Sequence, residues 1–145
     1  MNVKIIKVDT KRPDIQSVLN YLQKKTLPCD KLYDTGRGHW WIAYAEENKP
    51  VGFAGIVRSF SWYDCGYLCR AGVIDGYTGK GLQKRLIRVR LRQAKKLGWQ
   101  WAITDTTNNP ASSNSLIHEG FKLYEPTKPW AYKHSLYWRK RLNAV

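Results

Sequence analysis

The chain has 145 residues and a formal net charge of +14, from 25 Lys and Arg against 11 Asp and Glu. This length predicts a single domain over residues 1–145, large enough to bury a core without disulfide or metal cross-links. No apolar run approaches the roughly 20 residues that span a bilayer, and the N-terminus lacks the apolar run of a signal peptide. We therefore expect a soluble, cytoplasmic protein with no membrane partner.

Cysteine content and net charge give less information about binding partners than the length gives about domain organisation. Cys29, Cys65 and Cys69 are odd in number and lack paired C-x-x-C spacing, which favours reduced thiols over a disulfide framework or a metal site. The positive charge attracts nucleic acids, acidic protein surfaces and anionic cofactors. It can also serve only to keep a domain soluble. Charge alone does not choose among these roles.

The first half of the chain predicts one helix and four strands. The helix, Asp14 to Lys25, opens at Pro13 and carries apolar residues at helical spacing. The segment Thr26 to His39 is rich in charge, Pro and Gly, and we expect a loop or short helix that borders a site. The last three strands are expected to form an antiparallel sheet; the four are Val3 to Val8, Trp40 to Ala45, Val51 to Arg58 and Cys65 to Val73.

The second half predicts a change of class. From Gly81 to Leu97 the hydrophobic period becomes about 3.6, with one apolar and one basic face. Gly98 ends this helix, and a strand at Trp99 to Asp105 implies a parallel crossover. The remaining elements are a short helix, Ala111 to Glu119, and strands at Phe121 to Tyr124 and Lys133 to Arg141. The predicted class is α+β: a mixed, mostly antiparallel sheet with a central parallel β-α-β pair.

A glycine-bracketed turn lies between the strand that ends at Val73 and the long helix. Gly79 and Gly81 leave successive backbone N–H groups free to turn toward an anion, and the helix directs its positive end to the same place. The crossover puts this turn at the carboxyl end of a strand, where such sheets bind ligands. The segment VIDGYTGKGLQKRLIR therefore predicts a pyrophosphate cradle, although a G-x-G turn also occurs as a simple tight connection.

The order of elements, with V-x-x-x-x-x-G-K-G-L from Val73 and N-P-A-S-S-N-S-L-I-H-E-G-F from Asn109, resembles the GNAT superfamily of acyl-CoA-dependent N-acyltransferases. The resemblance covers nearly the whole chain. It implies the GNAT fold, acetyl-CoA as cofactor with CoA as product, and a monomer or homodimer. The cofactor contacts that it implies are Val73, Thr78, Gly79, Lys80, Gly81, Leu82, Gln83, Asn109 and Ser112.

Two positions of the turn depart from the family form [Q/R]-x-x-G-x-[G/A]. Thr78 replaces the usual Gln or Arg, and Gln83 replaces the small residue that lets the helix start lie close to the pyrophosphate. By the same resemblance, the backbone of Val73 pairs with the pantetheine arm and Asn109 bonds it. Asn109 and Ser112 are equally suited to capping the short helix.

Amine acylation needs a neutral amine and a proton for the departing thiolate. Where family members often carry the acid Tyr, this chain has Leu116, and Tyr124 is the alternative. Tyr67 falls on one family position for the base, but a phenol of unperturbed pKa ~10 is a poor base. Asp105 ends the strand that holds the other family position and is the best-placed carboxylate, although it could instead cap the next helix or order the loop that follows. The candidate catalytic residues are thus Asp105, Tyr67 and Tyr124, with Asp64 and Asp75 as runners-up.

Three functions remain open. The charge favours an N-acetyltransferase that works by direct attack in a ternary complex, on an amine that is anionic or nucleic-acid-linked. A nucleic-acid-binding module that kept the fold and lost the chemistry would explain Leu116, Thr78 and Gln83. A small-molecule amine acetyltransferase would use its basic helix face only to balance the phosphates of CoA.

Overall fold

The computed structural model describes residues 2–142 and is built around a seven-stranded mixed sheet. The two ends of the predicted domain, residues 1 and 143–145, lie outside the described part. The sheet order is β1-β2-β3-β4-β5-β7-β6. The helices are α1 (Pro13–Thr26), α2 (Leu82–Lys96) and α3 (Pro110–His118), with a short 3-10 turn at Glu46–Asn48. The strands are β1 (Lys4–Val8), β2 (His39–Ala45), β3 (Lys49–Arg58), β4 (Cys65–Val73), β5 (Trp101–Thr106), β6 (Lys122–Leu123) and β7 (Leu136–Arg141). Within residues 2–142, each helix is too short or too polar to cross a bilayer.

Neighbouring strands are antiparallel except for β4 and β5, which confirms the predicted α+β class with a central parallel pair. Helix α2 makes the crossover, as its amphipathic period predicts. The parallel contact is short, because Cys65–Tyr67 pairs with Trp101–Ile103 and the pairing then stops. Beyond that point, β4 and β5 diverge.

Helices cover both faces of the sheet. Leu19 and Leu22 of α1 pack on Trp40 and Phe53, whereas α2 buries its apolar stripe against the opposite face. The two periods, 3.6 in the helices and 2 in the strands, place these side chains on facing surfaces. The buried residues of the α2 side include Trp41, Ile56, Leu68, Leu86, Ile87, Leu91, Ala94 and Trp138.

Strand β4 carries a bulge. Gly55 of β3 pairs with Arg70 and Ile56 pairs with Leu68, so Cys69 is an extra residue without an opposite partner. A bulge disrupts the ladder locally and turns backbone groups out of it. It lies just beyond the place where β4 leaves β5, and therefore where the sheet opens.

Several predicted boundaries were wrong near the C-terminus. The last strand begins at Leu136 rather than Lys133, because a turn precedes it, in which Ser135 N donates to Tyr132 O at 3.0 Å. The preceding strand shrinks to Lys122–Leu123. Strand β5 begins at Trp101 rather than Trp99, since Trp101 N still donates to the carbonyl of Asp64 at 3.1 Å in the connection.

Candidate functional site

The divergence of β4 and β5 opens a cavity of about 680 Å³. Thr104 of β5 bridges the two strands at its base, where its Oγ1 donates to Leu68 O at 2.8 Å. Past this bridge, β4 still pairs with β3 on one side, but its other edge, which faces β5, has no strand partner from Cys69 to Val73 among residues 2–142. Unpaired backbone groups on a strand edge can accept an extended ligand as an added strand.

Asp105 lies in this cavity, and two donors hold its carboxylate. Its Oδ1 accepts a hydrogen bond from Tyr67 Oη at 2.7 Å and another from Trp130 Nε1 at 3.0 Å. The Trp130 ring packs edge-on against Tyr67 and Tyr137, with centroid distances of 6.0 Å and 4.6 Å. Neither bond uses Oδ2. The carboxylate is therefore fixed by one oxygen, and within residues 2–142 no hydrogen bond holds the other.

Tyr67 acts as a donor in this cluster. Burial, followed by the negative charge of Asp105, raises the pKa of the Tyr67 phenol well above its usual range. The phenol therefore keeps its proton at neutral pH and donates it in the hydrogen bond to Asp105. The alternative role for Asp105, capping the next helix, is filled by Asn109 instead.

Arg90 of α2 also lines the cavity, beside the β4 bulge, and sequence reasoning missed it. Its side chain is only 4% exposed; Nε donates to Leu86 O at 3.0 Å and Nη1 reaches Gly55 O at 3.4 Å. Burial lowers the pKa of the guanidinium to about 10, so it stays charged at neutral pH. Arg90 lies four residues from both Leu86 and Ala94 and therefore on the apolar face of α2. This spacing is the sequence feature that could have predicted its burial.

The glycine turn has the geometry of a backbone anion site. Gly76, Gly79 and Gly81 have φ values of +95°, +73° and +79°, and Gly81 is the N-cap of α2. A Cβ built at any of them would meet no atom within 4 Å, so the space in front of the turn is open. The first backbone N–H groups of α2 have no partner within the helix. The turn therefore presents donors and a helix N-terminus to open space.

The predicted cofactor residues around this turn differ in how far their side chains are exposed. Thr78 and Lys80 are exposed, whereas the side chains of Val73 and Leu82 are buried in the core, so that those two residues offer only their backbone. Gln83 is half-buried and lines the cavity. The turn and the cavity thus meet at the start of α2.

The start of α3 forms the other wall. Asn109 Oδ1 accepts from Ser112 N at 3.1 Å, and both residues line the cavity. The capping role predicted for Asn109 is therefore present, and its amide Nδ2 has no hydrogen-bond partner within the described residues 2–142. Leu116 lines the cavity as a buried apolar residue, 5% exposed.

Tyr124 lies outside the cavity. Its ring packs against Trp62 at 6.0 Å and under the guanidinium of Arg139 at 5.0 Å, and burial raises its pKa to about 12. Asp64 and Asp75 also lie outside it; Asp64 uses its backbone carbonyl to hold Gln100 N at 2.7 Å. Trp130, in contrast, reaches Asp105 from the loop between β6 and β7, which the sequence showed only as a proline-bearing connection.

Comparison with known proteins identifies the family and the fold. The model of the acetyltransferase (GNAT) family matches residues 11–114. No curated protein matches the chain. Among solved structures, the ribosomal-protein-S18-alanine N-acetyltransferase from Escherichia coli superposes with a TM-score of 0.78 at 11% identity, covering 99% of this chain and 96% of that one.

Two further structures have the same fold. A GNAT-family acetyltransferase from Staphylococcus aureus Mu50 has a TM-score of 0.76 and 16% identity, over 98% of this chain and 100% of that one. A Bacillus subtilis acetyltransferase in complex with CoA has a TM-score of 0.73 and 17% identity, over 98% and 100%. At such identities the superpositions establish the fold, and the family match covers most of the sequence. The chain belongs to the GNAT acetyltransferase family.

Proposed function

We propose that the protein is an acetyl-CoA-dependent N-acetyltransferase in which an amine attacks the acetyl group directly within a ternary complex. The observation that carries this proposal is the carboxylate of Asp105, fixed by Tyr67 and Trp130 in the opening between the parallel strands. The same cavity reaches the start of α2 and the start of α3. An amine and a cofactor can therefore meet there.

The residues present fit a CoA-type cofactor. The unpartnered edge of β4 from Cys69 to Val73 is suited to pair with a pantetheine arm, and Asn109 Nδ2 is free to donate to it. The open turn at Gly79 and Gly81 would hold the pyrophosphate through backbone N–H groups, with Lys80 adding charge nearby. When bound, acetyl-CoA supplies a thioester that a neutral amine can attack, with CoA leaving as the thiolate.

Asp105 is assigned the role of base. An acceptor amine is protonated in water, and Oδ2 of Asp105 is the oxygen free to remove its proton. Tyr67 and Trp130 hold the carboxylate and present aromatic surfaces that attract an ammonium group. Leu116 has no proton to give. The proton that Asp105 removes from the ammonium is therefore proposed to pass to the thiolate, and the second proton that the nitrogen loses on forming the amide goes to solvent.

The acceptor that we favour is an amine linked to an anionic group, such as a nucleic acid. This preference is supported by the net charge of +14 and by the many arginines that stack on aromatic rings: Arg37, Arg58, Arg70, Arg139 and Arg141. Arginine and aromatic faces together suit phosphates and bases. A binding module without chemistry would have no use for a carboxylate fixed by two donors.

The test is an acetylation assay on protein stripped of nucleic acid, with acetyl-CoA and amines of anionic, neutral and cationic type. Asp105→Asn keeps an oxygen for Tyr67 and Trp130 but removes the base, and we expect kcat/KM to fall about 10²- to 10⁴-fold. Asp64→Asn is the matched control, because Asp64 has a φ of +54°, which Asn tolerates, and lies outside the cavity. Full activity in Asp105→Asn, or no transfer by the wild type to any amine, would contradict the proposal.

A further inference from the structure

A second cavity, of about 550 Å³, opens beside the segment from Lys31 to His39. The end of β3, at Val57 and Arg58, and the ring of Trp99 form its other walls. Its volume is in the range of cavities that hold small ligands. None of the residues that we assign to catalysis or to cofactor binding lines it.

Its lining is strongly cationic. Lys31, Arg37, Arg58 and Arg70 line it with one carboxylate, that of Asp34, while Asp30 in the first cavity pairs with Arg70 at 3.9 Å. The Arg37 guanidinium lies 4.9 Å from the centroid of Phe60, and that of Arg58 lies 5.4 Å from the centroid of Trp99. Within residues 2–142, neither of these two arginines forms an ion pair. Their charges are therefore available to an anionic ligand.

Two aromatic residues of this cavity are unusual, because one is exposed to solvent and the other has a polar atom that is unpaired within the described part of the chain. Phe60 is 84% exposed although its ring is apolar. Trp99 is 4% exposed, and its Nε1 is the buried side-chain polar atom that lacks a hydrogen-bond partner among residues 2–142. The cavity thus offers an exposed, flat apolar surface at Phe60 together with positive charge.

Arg70 connects the two cavities, because it lines both. Its Nη1 donates to Lys31 O at 3.1 Å, and its guanidinium lies 5.5 Å from the centroid of Tyr33. A ligand in the second cavity would therefore lie next to the pocket that contains Asp105. One acceptor molecule could extend from one cavity into the other.

We propose that the second cavity binds a nucleotide phosphate of the acceptor, with Arg37, Arg58 and Arg70 on the phosphate and Phe60 under the base. Guanidinium groups match phosphate oxygens in pairs, and an exposed aromatic ring stacks on any base. The assignment of this nucleotide to the acceptor rests on the proposed function, whereas its binding does not. A free nucleotide and the end of an RNA share this chemistry.

The test is calorimetric binding of AMP and of a hexauridylate to the full chain. Arg37→Glu/Arg58→Glu changes two exposed side chains, and Arg92→Glu/Lys95→Glu, on the exposed face of α2, removes the same charge elsewhere. We expect AMP affinity to fall at least about tenfold in the first variant and less than about twofold in the second. A hexauridylate that binds at least about tenfold tighter than AMP identifies an RNA end, and equal affinities identify a free nucleotide.

Three results would overturn this proposal: AMP fails to bind the wild type, both double variants lose affinity equally, or an acidic peptide binds at this cavity in preference to AMP. Acetyl-CoA binding to the same proteins separates the two proposals. We expect the Arg37→Glu/Arg58→Glu variant to bind acetyl-CoA like the wild type. If no protein binds acetyl-CoA but AMP binds as expected, the enzymatic proposal fails while the nucleotide site stands.

Discussion

Gly81 and Gly98 provide a matched pair of substitutions at the two ends of α2. Both have a φ of +79°, and a Cβ at either would meet no atom within 4 Å. Alanine in the left-handed region costs about 1–2 kcal/mol, partly offset by the lower freedom of the unfolded chain. We therefore expect Gly81→Ala and Gly98→Ala to lower Tm by a similar few degrees.

Their effects on CoA binding should differ, because only Gly81 lies in the proposed cradle. A methyl group there would hold a phosphate away from the backbone N–H groups, and a hydrogen bond to a charged group contributes about 1.5–3 kcal/mol. The loss of one such bond weakens CoA binding about 10- to 150-fold. Isothermal titration with CoA measures this directly. Equal CoA affinity in the two variants would refute the assignment of the cradle.

Substitutions at three further residues test single contacts. The pKa of Tyr67 is raised in the folded state, so the contribution of its phenol to stability is complete below pH ~10 and is lost as the pH rises further. The free energy of unfolding in urea should therefore fall more steeply above pH ~10 in the wild type than in Tyr67→Phe. Equal slopes would contradict this. Asn109→Ser should keep the cap that Asn109→Ala loses, a difference of about 1 kcal/mol, while both weaken CoA binding; unchanged affinity in both would leave Asn109 as a cap only. Trp130→Phe removes the 3.0 Å bond to Asp105 and should lower kcat several-fold with CoA affinity unchanged, whereas an unchanged kcat would contradict its positioning role.

Local periodicity explains why the fold was predictable. The change of period at Gly81 and the stop at Gly98 located α2 within one residue at each end, and strand–helix–strand order implied the parallel crossover. The resemblance to the family, whose base can lie on the strand after the turn, led to Asp105 at the end of β5. Elements that depend on their own sequence pattern were therefore found.

Contacts between segments that are distant in the sequence were not predicted. Trp130 reaches Asp105 across 25 positions of sequence, and no local pattern in its loop predicts that approach. Tyr124 alternates like a strand residue, but its position relative to the cavity depends on how β6 and β7 pair at the sheet edge. The bulge at Cys69 is likewise visible only in the register between β3 and β4.

The most direct test of the proposed CoA site is a titration of ¹⁵N-labelled protein with acetyl-CoA, followed through its backbone amides. We expect shifts concentrated on the free edge of β4, residues 69–73, and on the turn and helix start, residues 79–83, with the side-chain amide of Asn109 also affected. The absence of shifts at about 1 mM acetyl-CoA, or shifts confined to residues 31–39, would contradict it.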